Sequence, residues 1–180
     1  MRKFIAIIGG VVGLLAISII IFYQYTKSHS PGELVKYGDI VSIKYYKPFK
    51  KGREIFGELV PFDEVWRTGA NWATTIRLTR DIRMNKKEVA AGLYSIWTKP
   101  GKDNWQVILN EETGQWGIGL LDKKPNRDSE RDVIMVETPV MHSEKPVEQF
   151  TITLEGRDNE LEMVMIWDKT LISVPIEIIN

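Results

Sequence analysis

The sequence predicts an all-β domain, an antiparallel β-sandwich of jelly-roll or Ig-like type with about eight or nine strands, preceded by one N-terminal transmembrane helix. Three observations carry this expectation. Beyond residue 37, apolar residues recur mostly with a period of two, the spacing of a half-buried strand. These runs are short and separated by Gly, Pro and Asp/Asn, with no helical stripe among them. Before them lies an uncharged apolar run at 4–23, interrupted only by Gly9, Gly10, Gly13 and Ser18.

At about 1.5 Å per helical residue that run reaches roughly 30 Å, the thickness of a bilayer's hydrocarbon core. A removed signal peptide has a shorter apolar core, of about 7–15 residues, followed by a small-x-small site. Here the run ends in Phe22-Tyr23-Gln24-Tyr25, an aromatic belt suited to a membrane interface. The length favours an uncleaved anchor over residues 4–25. Arg2 and Lys3 precede it and only Lys27 follows closely, so positive charge retained inside makes residues 1–3 a cytoplasmic tip and sends the rest out. Residues 26–36, beginning TKSHSPG, read as a polar tether with His29 as a solvated linker residue. The exported domain then occupies 37–180.

Within it, 39–46 (DIVSIKYY) alternates Val41, Ile43 and Tyr45 against polar neighbours, and 74–80 (TTIRLTR) sets Ile76 and Leu78 on one face. The runs 92–98 and 105–110 flank KPGKDN, which is turn chemistry, and form a hairpin. Further strands are expected at 133–137, 149–154, 161–167 and 171–179. Pro175 places the last on an edge, because proline has no ladder donor. Residues 61–66 (PFDEVW) offer one helical turn, with Pro61 first and Asp63 and Glu64 following. The segment 123–132 reads as a solvated charged loop, and 139–146 as a loop by its prolines, carrying His142 as a surface histidine.

Composition excludes several functions. The 180 residues hold 24 basic and 24 acidic side chains; a nucleic-acid partner needs a concentrated basic field. Without Arg2, Lys3 and Lys27 the exported part is mildly acidic, 21 basic against 24. With no cysteine there is no disulfide, thiol nucleophile, thiolate metal site or acylated lipoprotein signal. The two histidines, His29 and His142, do not suggest a metal pair, and 122–132 lacks the spacing of a calcium loop. No nucleophile–base pair is recognisable, and no cofactor is expected.

The stretch 46–76 (YKPFKKGREIFGELVPFDEVWRTGANWATTI) is dense in turn residues and aromatics. Pro48, Gly52, Gly57 and Pro61 fold it into a compact excursion. Arg67-Thr68-Gly69-Ala70-Asn71 then sets a cation, a hydroxyl, a permissive glycine and an amide at a turn. Backbone N–H groups at such a turn can form an anion-binding concavity, and an arginine beside it can clamp a carboxylate or phosphate. The competing structural reading pairs Arg67 with an internal carboxylate and makes Asn71 the cap of the turn.

Tyr46-x-Pro48, Lys51-Gly52-Arg53-x-Ile55-Phe56-Gly57-x-Leu59-Val60-Pro61, Val65-Trp66-Arg67-Thr68-Gly69-Ala70-Asn71-x-Ala73-Thr74-Thr75, Ala91-Gly92-x-Tyr94-Ser95 and Pro100-Gly101 resemble the bacterial domain-of-unknown-function family 2911 over the whole exported domain. The resemblance implies an exported bacterial β-rich domain, and hence a periplasmic address in a single-pass envelope protein, but no reaction. Relatives often carry glutamate where this chain has Trp72, so any role of that carboxylate is absent here.

Six tryptophans remain to be placed. Most belong to the core of a domain without disulfides. Trp97 shares a strand face with Ser95 and Lys99, opposite Tyr94 and Ile96, so one face of that strand accepts a mixed environment. Trp72, at a turn, and Trp116, in the glycine-rich TGQWGIG, are the two expected at the surface. These observations favour a membrane-anchored, non-catalytic ligand-binding or interaction module using Arg67, Asn71, Trp72 and Thr74, with Arg53 and Trp116. Its partners are the membrane, through residues 4–25, and a small-molecule, glycan or peptide ligand. The alternative is a carboxylate-dependent hydrolase or lyase acting on envelope carbohydrate, which requires two acids facing one cleft. A third reading makes the excursion a structural plug closing one end of the sandwich.

Overall fold

The computed structural model describes residues 2–119 and 124–179, the side chains of residues 2–10, 23 and 27 excepted. The expected basic flanks Arg2, Lys3 and Lys27, the Tyr23 ring, the apolar side chains at 4–10, and Asp122 and Lys123 of the charged segment therefore lie outside the described residues. The chain opens with helix α1 (Arg2–His29). Among the described residues, no helix is long and apolar enough to cross a membrane. The side chains described on α1 from Val11 to Phe22 are nonetheless exposed, Leu14, Ile19 and Ile21 among them.

The expected tether is not one. Residues 26–29 complete α1, with Ser30 N–H donating to the Thr26 carbonyl at 3.0 Å, because nothing in Thr-Lys-Ser-His breaks a helix before Pro31. Strand β1 (Gly32–Tyr37) follows at once. It escaped notice because it is a half-exposed edge strand, with Leu34 facing solvent.

Among the described residues, ten strands form two antiparallel sheets. The first adds β2 (Val41–Tyr46), β3 (Thr74–Leu78), β6 (Gly92–Pro100), β7 (Asn104–Asn110) and β8 (Asp132–Pro139) to β1, in the order β1-β2-β3-β6-β7-β8. The second comprises β4 (Ile82–Met84), β5 (Lys87–Val89), β9 (Met141–Arg157) and β10 (Glu160–Ile178), in the order β5-β4-β10-β9. The expected alternation sets the register: Ile43 lies opposite Ile76, Ile76 opposite Tyr94, and Ile96 opposite Leu109. One apolar cluster draws on both sheets, joining Val41, Ile43, Ile76 and Ile96 to Met84, Ile152, Met165 and Val174.

Several expectations are corrected. Residues 61–66 contain no helical turn; Asp63 stands at φ 61°, outside the right-handed helical region. The proposed loop 139–146 is largely the start of β9, where His142 pairs with Thr170. The runs at 161–167 and 171–179 fuse into β10, bent by register shifts around Asp168 at φ 52°. β10 lies inside its sheet, not at an edge. It tolerates Pro175 because its pairing with β9 stops at Leu171 and its pairing with β4 starts at Ile176. The charged segment is anchored by a short 3₁₀ turn (Ser129–Arg131) and by Arg127 to Asp132 at 2.6 Å.

Both faces of β6 are buried, which resolves the mixed face of Trp97. Tyr94 and Ile96 join the main core, whereas Trp97 packs with Ala73, Ile108 and Val65 in a second cluster and donates from Nε1 to Ser95 Oγ at 2.8 Å. Residues 111–115 cover this face: Ser95 Oγ donates to the Glu112 carbonyl at 2.6 Å, and Ala73 N–H to that of Gln115 at 3.1 Å.

Tyr45 links the two sheets inside the core. It is fully buried, its hydroxyl accepts from Ile152 N–H at 3.0 Å, and burial pushes its pKa up to about 12. The unfolded phenol ionises near pH 10. The folded value is higher, so this residue's contribution to stability is intact below pH 10 and is lost as pH rises toward 12. An absorbance titration at alkaline pH should show one tyrosine ionising well after the others, and Tyr45→Phe should remove that late step; a single common transition would contradict the assignment.

Candidate functional site

The excursion between β2 and β3 builds the site, and it does so by pairing with both sheets. On one side Phe49 bridges Gln149, with Lys50 N–H donating to the Glu148 carbonyl at 2.6 Å and Phe150 N–H to that of Pro48 at 3.0 Å. On the other, Trp66 and Thr98 exchange backbone hydrogen bonds at 2.7 and 2.9 Å, extending the edge of β6 beyond β3. Between these attachments Phe56 and Trp66 enter the end of the core. Phe56 lies 4.9 Å from Trp105, and Trp66 5.1 Å from Phe150 and stacked on Trp167 at 6.0 Å. The excursion thus packs two of its aromatics into the core, as the third reading, a plug, would have it.

After Trp66 the chain turns sharply. Thr68, Gly69 and Asn71 stand at φ 56°, 146° and 57°. Left-handed backbone is unusual for a β-branched residue, and side-chain bonds hold it in place. Thr68 Oγ1 donates to Thr98 Oγ1 at 3.1 Å, Thr74 Oγ1 to the Thr68 carbonyl at 2.6 Å, and Trp66 Nε1 to that of Gly69 at 3.0 Å. At Gly69 a Cβ would come within 2.9 Å of the Tyr46 carbonyl, so the turn requires glycine there.

This geometry divides the six expected residues. Thr74 is buried and its hydroxyl spent on the turn. Asn71 donates from Nδ2 to the Ser30 carbonyl at 3.3 Å, tying the turn to the segment after α1 rather than capping the turn itself. Trp72 is 46% exposed and meets Trp116 edge-on at 5.5 Å; Trp116 in turn lies 6.3 Å from Phe22 of α1. These four do not line the cleft that Arg53 and Arg67 share.

That cleft has a volume of about 630 Å³ and lies between the excursion, Gly117, Ile118 and Pro125, and the end of α1. Phe49, Leu59, Val65, Trp66 and Ile118 supply apolar walls. Among the described residues Lys51, Arg53 and Arg67 bring three cations against one carboxylate, Glu64, and Tyr25 and His29 of α1 close one side. Arg53 is exposed and braces the excursion, donating from Nε to the Lys50 carbonyl and from Nη2 to that of Phe49. Arg67 differs. Its guanidinium is half-buried, burial lowers its pKa, and among the described residues its one hydrogen-bond acceptor is the Trp116 carbonyl at 3.2 Å. The internal carboxylate of the structural reading does not appear among the described residues. His29, expected as a solvated linker, instead stacks on Tyr25 at 3.9 Å and lines this cleft. Sequence reasoning missed the α1 contribution because it ended the helix before His29.

The Trp-Arg-Thr-Gly-Ala-Asn turn lies inside a region that matches a known family. A family model described as "Protein of unknown function (DUF2911)" matches residues 30–176. The chain belongs to the DUF2911 family. No curated protein and no solved structure matches it. In this DUF2911 chain the match begins where α1 gives way to β1, so the helix lies outside the family region while two of its side chains face the cleft.

Gly117 fixes where Arg67 can go. At φ 93°, a Cβ there would stand 2.5 Å from Arg67 Cδ, so the arginine stem lies directly on glycine backbone. Gly117→Ala should cost about 1–3 kcal/mol from backbone strain and displaced packing. Combining it with Arg67→Ala should cost less than the sum of the two, measured as coupling in urea melts. Strict additivity would show that the two do not share this contact.

Proposed function

We propose that this protein is a membrane-anchored extracytoplasmic binding module whose two sheets pack as a sandwich and whose cleft takes an anionic ligand on Arg67. The observation that carries this is the half-buried Arg67 guanidinium, open to the cleft and lacking a carboxylate partner among the described residues. A guanidinium has five donors, and desolvation makes an incoming carboxylate or phosphate a favourable partner. Phe49, Leu59, Val65 and Trp66 offer an apolar surface for the remainder of the ligand. Among the described residues Glu64 is the one acid lining the cleft; binding on Arg67 needs no second carboxylate, whereas glycosidase-type chemistry needs a pair. In the wild-type protein, titration with glucuronate or inorganic phosphate should perturb the emission of Trp66. Arg67→Met keeps the stem over Gly117 and should weaken binding at least tenfold; equal binding by this variant would remove Arg67 from the site.

The anchor belongs to the same reading. Residues 4–23 carry no charge, and the large apolar side chains described on α1 from Val11 to Ile21 are exposed. We place residues 1–3 in the cytoplasm and the β domain outside it, in the cell envelope. Because the chain has no cysteine, single-cysteine variants report topology directly. Glu144→Cys should react with a membrane-impermeant maleimide on intact spheroplasts and Lys3→Cys only after permeabilisation; the reverse pattern would invert the orientation.

A further inference from the structure

We infer that the ligand of the Arg67 cleft is an anionic lipid of the membrane that holds the protein, its phosphate seated on Arg67 and its apolar portion against the Phe49, Leu59, Val65 and Trp66 wall. The inference rests on the binding reading above and names its ligand class. Two further observations, the first taken with the anchor reading above, point to a lipid.

The first is position. The uncharged run of α1 ends at Tyr23, and the side chains that reach the cleft are Tyr25 and His29. At about 1.5 Å per residue they stand roughly 3 and 9 Å beyond the end of the run. The polar layer of a bilayer is about 5–7 Å deep on each side of the hydrocarbon core. The cleft therefore opens at headgroup height, and a lipid phosphate is already present there at high local concentration. The contact of Trp116 with Phe22, one residue before the run ends, holds the domain at that height.

The second is the mixed character of the lining. A site for a free inorganic anion is built from polar donors. Among the described residues three cations, Lys51, Arg53 and Arg67, outnumber the one acid, Glu64, and border an apolar wall. Cationic rim and apolar wall together complement an amphiphile whose charge and hydrocarbon are joined in one molecule. A zwitterionic headgroup would bring its own cation to the same rim and lose part of that complementarity.

The test uses the full chain in neutral detergent, titrated separately with phosphatidylglycerol, phosphatidylcholine and inorganic phosphate. Binding is read by native mass spectrometry and by tryptophan emission. Phosphatidylglycerol should bind at least tenfold more tightly than either of the others. Arg67→Met should abolish that preference, and Arg67→Lys, which keeps the charge, should restore part of it. Circular-dichroism melts of each variant establish that it is folded. If inorganic phosphate binds as tightly as the lipid and depends on Arg67, the lipid assignment fails while the anionic site stands. Equal affinity for the two lipids, or phosphatidylglycerol binding indifferent to Arg67, also overturns the assignment. If glucuronate, phosphate and lipid all fail to bind, the binding reading falls with it.

Discussion

The structure depends on one constraint, the pairing of a single loop with two sheets. Residues 47–73 hydrogen-bond to β9 through Pro48 and Lys50, on either side of Phe49, and to β6 through Trp66. In a two-sheet protein without disulfides, the sheets are held by side-chain packing and by whatever chain crosses between them. Here the crossing chain also carries Phe56 and Trp66 into the open end of the core, where Trp105, Phe150 and Trp167 receive them. Each close aromatic pair adds about 0.5–1.5 kcal/mol beyond the area it buries. The lateral attachments fix where those rings enter, and the rings fix the spacing of the sheets on which the attachments depend.

The turn after Trp66 follows from that fixation. Once Trp66 is tied to Thr98, the chain must reverse within a few residues to enter β3 at Thr74, which pairs with Ile96 on the same strand. The reversal uses left-handed backbone at Thr68, Gly69 and Asn71. A strained non-glycine residue costs on the order of 1–3 kcal/mol and persists only where its surroundings over-determine it. Thr98, Thr74 and Ser30 supply those surroundings. The residue left unspent by this network is Arg67, which the turn aims into the cleft while Gly117 admits its stem.

Strands with one buried face were legible because a period of two survives in a single sequence: β2, β3 and the β6–β7 hairpin lie within a few residues of where alternation places them. What failed depended on partners distant in the chain. β4 and β5 are three residues each, too short to show a period. The prolines near His142 suggested a loop, yet backbone pairing with β10 draws that segment into β9. At the site, the importance of the Arg67 turn was visible in its residue types. Its division into spent and free groups was not, since Thr68, Asn71 and Thr74 find their partners across the fold. The contribution of Tyr25 and His29 was hidden by the same long-range packing.

The contrast between Arg67 and the neighbouring cations bears most directly on function. Around the excursion, Lys47 meets Glu33 and Lys50 meets Asp168, each at 2.5 Å, and Arg127 meets Asp132 at 2.6 Å. All three cations keep less than a quarter of their side-chain surface exposed. At these three half-buried positions the chain provides a carboxylate, which offsets the expense of leaving buried charge unpaired. Arg67 is in the same setting, with burial lowering its pKa, and receives one carbonyl. A structural arginine at that point would gain from a nearby Asp or Glu, and Glu64, three residues away, lines the same cleft without a bond to it among the described contacts. The unspent guanidinium is the observation behind our proposal that its partner arrives from outside the chain.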